Sequence, residues 1–244
     1  LKKVDYLTRR IRAILAEHGC EDRPIWFTEI GCKAVNAGGP AGRSQFLTDL
    51  YTHQFDEAVD YLEDARALSK SRGDKLTEYM ANEYLTIVEM ERRDCVAAHD
   101  YATTLVEIGA RVREGSEKPF AESLRAVCHY GLTNDDSGLE PALLALRQAD
   151  AKQRLSFVLN RAAIQYIEHN LLERGYQYAS EALELARIME RPSENLQAMI
   201  SLERVHRQDP GLAPQGYSDQ IRQAARGGVA GWVRKRGEEL LAQQ

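Results

Sequence analysis

The residue best placed by its neighbours to do chemistry is Glu29. It closes the segment RPIWFTEIGC, residues 23 to 32, in which Ile25, Trp26, Phe27 and Thr28 read as one short buried strand before Gly31. A carboxylate at a strand end is either a catalytic group facing a site or an ordinary surface acid, and the segment alone leaves both readings open. The other reactive side chains are dispersed. Cys20, Cys32, Cys95 and Cys128 form no C-x-x-C and no paired spacing with histidine, which speaks against a zinc or redox centre and for reduced thiols in a cytoplasmic protein. The six histidines each stand alone, and no G-x-S-x-G marks a nucleophilic serine. Asp135 and Asp136 sit among turn residues. The expectation is therefore a protein with no cofactor and no metal, and no enzyme.

Composition narrows the class. Hydrophobic residues make up 43% of the 244, charged residues 28% and aromatic residues 7%. Few aromatics among many Ala, Leu, Glu and Arg favour helix over sheet. A net charge of -5 gives a nucleic-acid partner no electrostatic support. The short basic run Arg234-Lys235-Arg236 reads as a solvated helix face. No apolar run reaches the length that spans a membrane, and no signal peptide is visible. The chain starts on Leu1, which reads as a piece of a longer protein.

The elements follow from periodicity. Val4, Leu7, Ile11, Ile14 and Leu15 make one helix face, stopped at Gly19. NAGGPAGR, residues 36 to 43, is a loop without the Gly-Lys-Ser/Thr ending of a phosphate cradle. From residue 44 the chain reads as helix after helix. Small residues recur at steps of four and three: Ala58, Leu62, Ala65; Ala98, Ala102, Leu105; Ala142, Leu146, Ala149; and Gly175, Ala179, Ala182. Such stripes let a neighbouring helix approach closely. Leu155, Val158, Leu159, Ala162, Tyr166 and Ile167 form one buried face, and Leu76, Tyr79, Met80, Leu85, Ile87 and Val88 a less regular one. Asp74 is expected to cap the helix after it, and Ser193 the helix that Pro192 opens. GSEKP, 115 to 119, and TNDDSG, 133 to 138, read as turns. Tyr79, Tyr84, Tyr101, Tyr166, Tyr176 and Tyr178 read as fillers between helices. The stretch 209 to 244 reads as capping helices, with Trp232 packed back over the last open face.

The small-residue stripes resemble the second helices of tetratricopeptide repeats. Ala162, Ala163 and Tyr166 before Gly175 fit the preceding helix of that unit; Thr86 and Glu89 fit the earlier unit poorly. The intervals Ala58 to Ala98, Ala98 to Ala142 and Ala142 to Gly175 are 40, 44 and 33 residues, against about 34 in regular arrays. They look like the degenerate repeats C-terminal to the ATPase or cyclase domains of bacterial signalling proteins. That resemblance implies an all-α fold of antiparallel hairpins stacked as a right-handed superhelix over residues 44–208, between an N-terminal segment 1–43 and a cap 209–244. It implies an interaction or regulatory scaffold whose inner face binds a protein, peptide or small effector. In register, Phe157, Asn160 and Ile164 face inward, with Glu83 in the poorer unit. Homodimerisation through an exposed helix face is a further option. Independently, RPIWFTEIG resembles the nucleophile strand of TIM-barrel glycoside hydrolases. This implies the alternative, a hydrolase fragment with Glu29 as nucleophile joined to a helical domain.

Overall fold

The fold is given by a computed structural model that describes residues 55–112 and 115–243. The chain divides into two compact units, Leu1–Ala58 and Val59–Gln244. Glu29, its strand-like segment, the Gly-rich loop and the helix before them lie outside the described residues. The described residues form ten helices and no strand: α1 Phe55–Arg72, α2 Lys75–Arg92, α3 Cys95–Gly109, α4 Glu117–Thr133, α5 Leu139–Gln148, α6 Lys152–Glu168, α7 Leu172–Ile188, α8 Pro192–Gln208, α9 Ser218–Ala224 and α10 Gly231–Ala242. The all-α expectation holds for this part of the chain.

From α2 onward each helix packs on the next in sequence, and α2, α4, α6 and α8 also lie side by side, α2 on α4, α4 on α6 and α6 on α8. One apolar core runs through them from Tyr79 on α2 to Leu240 on α10. The face expected on α6 is buried as read, with Val158, Leu159, Ala162 and Tyr166 fully enclosed. The face expected on α2 is corrected at Leu76, which is 45% exposed, while the polar Asn82 and Thr86 are at 0%. Each donates to the carbonyl four residues earlier, Asn82 to Glu78 and Thr86 to Asn82, while the Asn82 side-chain oxygen stays without a partner among the described residues. The small stripes do what their size allows. Ala98, Ala102, Ala179 and Ala182 are sealed between helices. At Gly175 a Cβ would stand 2.6 Å from Ile167 Cγ1, so α7 seats on α6 only because no side chain is there. Gly175→Ala gains roughly 1 kcal/mol of helix propensity but overpacks a closed contact, which costs about 1–3 kcal/mol. The expected net result is a fall in the denaturant midpoint equivalent to about 1 kcal/mol, measured by urea unfolding followed by circular dichroism.

The turns are made by one device used repeatedly. Gly73, Arg93, Asn170 and Glu190 have φ of 70°, 63°, 60° and 51°. The following N–H in each case reaches back five residues, Asp74 to Ser69, Asp94 to Glu89, Leu171 to Tyr166 and Arg191 to Ala186. This closes the preceding helix and starts the next at once. Asp74 caps α2 as expected, its carboxylate accepting from the Thr77 amide at 3.1 Å. Ser193 does not cap α8. The helix opens one residue earlier, with Pro192 in its first turn, and the Ser193 hydroxyl accepts from the Ala230 amide of the C-terminal segment instead. Glu117, Lys118 and Pro119, read as turn, form the first turn of α4.

Helices one unit apart are tied by tyrosines. Tyr101 on α3 donates to the Glu63 carboxylate on α1 at 2.6 Å. Tyr178 on α7 donates to Glu140 on α5, the same 38 residues back. Tyr166 on α6 donates to Asp136 at 2.8 Å, and Tyr79 on α2 to the Glu117 carbonyl at 2.8 Å. Burial first, and then the carboxylate hydrogen bond, push the Tyr101 and Tyr166 phenols up to about 12. An unfolded phenol titrates near about 10. The folded state thus keeps its proton longer than the unfolded state, and this stabilisation is complete below about pH 10 and is lost as pH rises through about 12. The denaturant midpoint is expected to fall over that window, and to fall less in a Tyr101→Phe/Tyr166→Phe double variant.

The C-terminal segment is fastened to α8. Glu203 accepts from the Tyr217 amide at 2.5 Å, the Ser218 hydroxyl at 2.7 Å and Arg207 Nε at 3.0 Å. Burial raises the cost of this charge, but these donors outweigh it and hold the carboxyl below its ordinary pKa. His206 Nδ1 lies 2.6 Å from the Ala213 carbonyl, so that nitrogen carries the proton. Trp232 packs half-buried against the core.

Candidate functional site

The helices that lie side by side line a cavity of about 490 Å³, to whose wall α10 also contributes. Its walls come from Met90 of α2, Cys95 and Ala98 of α3, Val127, Cys128 and Gly131 of α4, a stripe of α6, and residues of α8 and α10. The α6 stripe is Arg161, Ile164, Gln165 and Glu168. Steps of three and four on one helix bring such a set onto one face. The size matches cavities that hold small organic ligands.

The electrostatics of the wall are organised around Glu91. Its side chain is 1% exposed and lies between Arg161, 8% exposed, and Arg236, 27% exposed. Arg161 approaches one carboxylate oxygen, and Arg236 donates to the other at 2.5 Å. Arg236 also donates to Gln197 Oε1 at 3.0 Å. One carboxylate of α2 thus binds α6 and α10, 145 residues away in the chain. This corrects the reading of the Arg234-Lys235-Arg236 run as solvated: Arg236 points inward. Burial lowers the Arg236 pKa and the Glu91 charge opposes that shift. Arg161 lies 4.8 Å over the Phe157 ring, and its Nε, fully enclosed, has no hydrogen-bond partner. Arg93 pairs with Glu168 at 3.1 Å. Arg204, half-buried on α8, lines the cavity with no hydrogen bond or ion pair to another described residue.

Of the residues read as binding positions, Ile164 lines the cavity. Phe157 stands one turn before Arg161 on α6, its ring edge-on to Phe120 at 6.5 Å and under the Arg161 guanidinium. Asn160 is 2% exposed, and its amide donates to the Glu194 carbonyl at 3.0 Å, which places it between α6 and α8. Glu83 is half-buried on α2 and does not line the cavity. It lies in the field of Arg154. Burial opposes the Arg154 charge, but the hydrogen bond to Glu117 and the Glu83 carboxylate hold its pKa above the ordinary value. Sequence reasoning missed Glu91, Arg161, Arg204 and Arg236. Arg161 was within reach, since it lies on one face with Phe157 and Ile164, four residues from one and three from the other.

The Cys128 thiol, enclosed in α4, is pushed up to about 12 by burial, so it holds its proton at neutral pH. Among the described residues no group of three or more His, Cys, Asp or Glu is placed to hold a metal ion, and no helix is long and apolar enough to cross a membrane. No protein-family model matches the chain, and no curated protein is significantly similar to it.

Proposed function

We propose that this chain is a non-catalytic interaction or regulatory module that binds a peptide, partner domain or small effector in the cavity on its inner face. Its helices are read as degenerate tetratricopeptide-like hairpins, α2 with α3, α4 with α5 and α6 with α7, stacked as a right-handed superhelix. The module belongs to a larger cytoplasmic signalling protein, with residues 209–244 as its cap. One observation carries the reading. Alternate helices α2, α4, α6 and α8 pack side by side and each contributes to the wall of a shared cavity, together with residues of α3 and α10. Stacked hairpins bury their cores against neighbours and leave an inner surface for recognition.

The test is native mass spectrometry of the full chain purified from its own cells, beside an Ile164→Glu variant. Expected is a bound protein, peptide or small molecule on the parent chain that is lost from a variant of unchanged helicity. An equal load on both chains, or a bare parent chain, overturns the reading.

A further inference from the structure

We infer that the cavity is a site for a small organic anion, with one carboxylate or phosphate group and an apolar body, and that Arg204 receives the acid group. The inference rests on the reading of the cavity as the binding face and gives that face its ligand chemistry. The charges of the wall fall into closed and open sets. Glu91 is spent on Arg161 and Arg236, and Glu168 on Arg93. Glu239 is 3.9 Å from Lys235. Arg204 is left as a guanidinium with no acidic partner among the described residues, on the wall of a cavity in a chain whose net charge is -5. Arg161 lines the same cavity, but its guanidinium is engaged by Glu91 and its Nε is enclosed away from the cavity, so Arg204 is the cation left to receive an anion. Its planar guanidinium fork matches a carboxylate or phosphate.

The rest of the wall fixes the other half of the ligand. Met90, Val127, Ile164, Ile200 and Leu240 supply apolar surface on the same wall as the arginines. A volume of about 490 Å³ takes a chain of several carbons beside the acid group. A free inorganic ion would leave that apolar surface wet. A neutral alcohol would leave Arg204 without its counter-charge. The ligand class is therefore an amphipathic acid.

Octanoate and phenyl phosphate are the probes, with octanol and inorganic phosphate as controls. Isothermal calorimetry on the full chain is expected to give saturable one-site binding of octanoate or phenyl phosphate at about millimolar affinity or tighter, with octanol and inorganic phosphate at least about tenfold weaker. Arg204→Gln is expected to weaken the acid probe by about tenfold or more, the value of a lost charged hydrogen bond. Arg222→Gln, on the exposed face of α9, keeps it. In the parent chain the bound probe shields the cavity cysteine Cys95 from iodoacetamide, mapped on its own peptide, a readout that does not depend on how the variant folds. Octanoate preferred over phenyl phosphate, or the reverse, assigns the head group within the proposal. Four results overturn it: no binding of either acid probe, undiminished affinity in Arg204→Gln, octanol or inorganic phosphate binding as well as the acids, or no shielding of Cys95. Should the acids fail while Ile164→Glu still removes a co-purifying component, the anion site falls and the binding module stands.

Discussion

Tyr166→Ala is expected to lower the stability of the helical unit by about 3–5 kcal/mol, the range for truncating an enclosed aromatic ring. Tyr166 is at 0% exposure in the middle of a three-ring stack. Its ring centroid is 4.8 Å from that of Tyr130 on α4 and 5.3 Å from that of Tyr178 on α7. The stack continues to His169, whose ring meets Tyr130 edge-on at 4.9 Å. The phenol adds a hydrogen bond to Asp136, and the Arg174 guanidinium lies 5.4 Å over the ring and donates to its oxygen. Truncation removes ring contacts on two sides and leaves Asp136 and Arg174 with each other at the surface. For a unit of this size the loss lowers Tm by roughly 6–20 °C. Tyr166→Phe separates the two contributions. It keeps the rings and removes the hydrogen bond, so its cost is about 1 kcal/mol. Thermal unfolding of both variants by calorimetry checks the pair. A Tyr166→Ala chain within 1 kcal/mol of the parent would mean that the stack is not what joins α4 to α7.

That stack shows where the sequence was readable. Tyr166 belonged to a face of period 3.6, with Leu155, Val158, Leu159 and Ala162, and the whole face is buried. Periodicity reports which side of a helix leaves water, because that is a local property of the chain. The small-residue stripes are legible for the same reason: Ala98, Ala102, Ala179, Ala182 and Gly175 mark where two helices come closest. The misreadings lie at helix starts. Leu76 stands in the first turn of α2 and is exposed. Ser193 falls inside the first turn of α8, which Pro192 opens, and its hydroxyl is left to accept from the Ala230 amide. Arg93 and Glu190 occupy left-handed turn positions that glycine or asparagine usually announces. The cavity lay beyond local reasoning. Charged side chains predict solvent by default, and Arg161, Glu91 and Arg236 are inside only because they meet each other. Such a meeting has no signature within any one helix.

Glu91→Ala carries the other large expected effect, and it separates the architecture from its charges. The carboxylate is enclosed, with Arg161 and Arg236 on its two oxygens. Removing it leaves two guanidinium groups close to each other, one of them buried, with no counter-charge between them. Breaking a buried pair from one side costs about 3–5 kcal/mol, mostly because of the charge left behind. Relief requires one arginine to reach water. Arg236 is the more exposed of the two and stands on the terminal helix, so α10 is the element expected to move. Hydrogen exchange in Glu91→Ala should therefore rise first along 231–242 and on the inner face of α6, before the rest of the unit opens. The cavity would open with it, since α10 forms one of its walls. The complementary variant replaces all three charges together, Glu91→Leu with Arg161→Met and Arg236→Leu. Its expected stability equals or exceeds that of the parent, because an apolar trio of similar volume carries no desolvation cost. If the triple variant is as unstable as Glu91→Ala, the charges themselves hold α10 in place. If it is stable and no longer takes an acid probe, the triad is kept for what it arranges in the cavity and not for the stability of the fold.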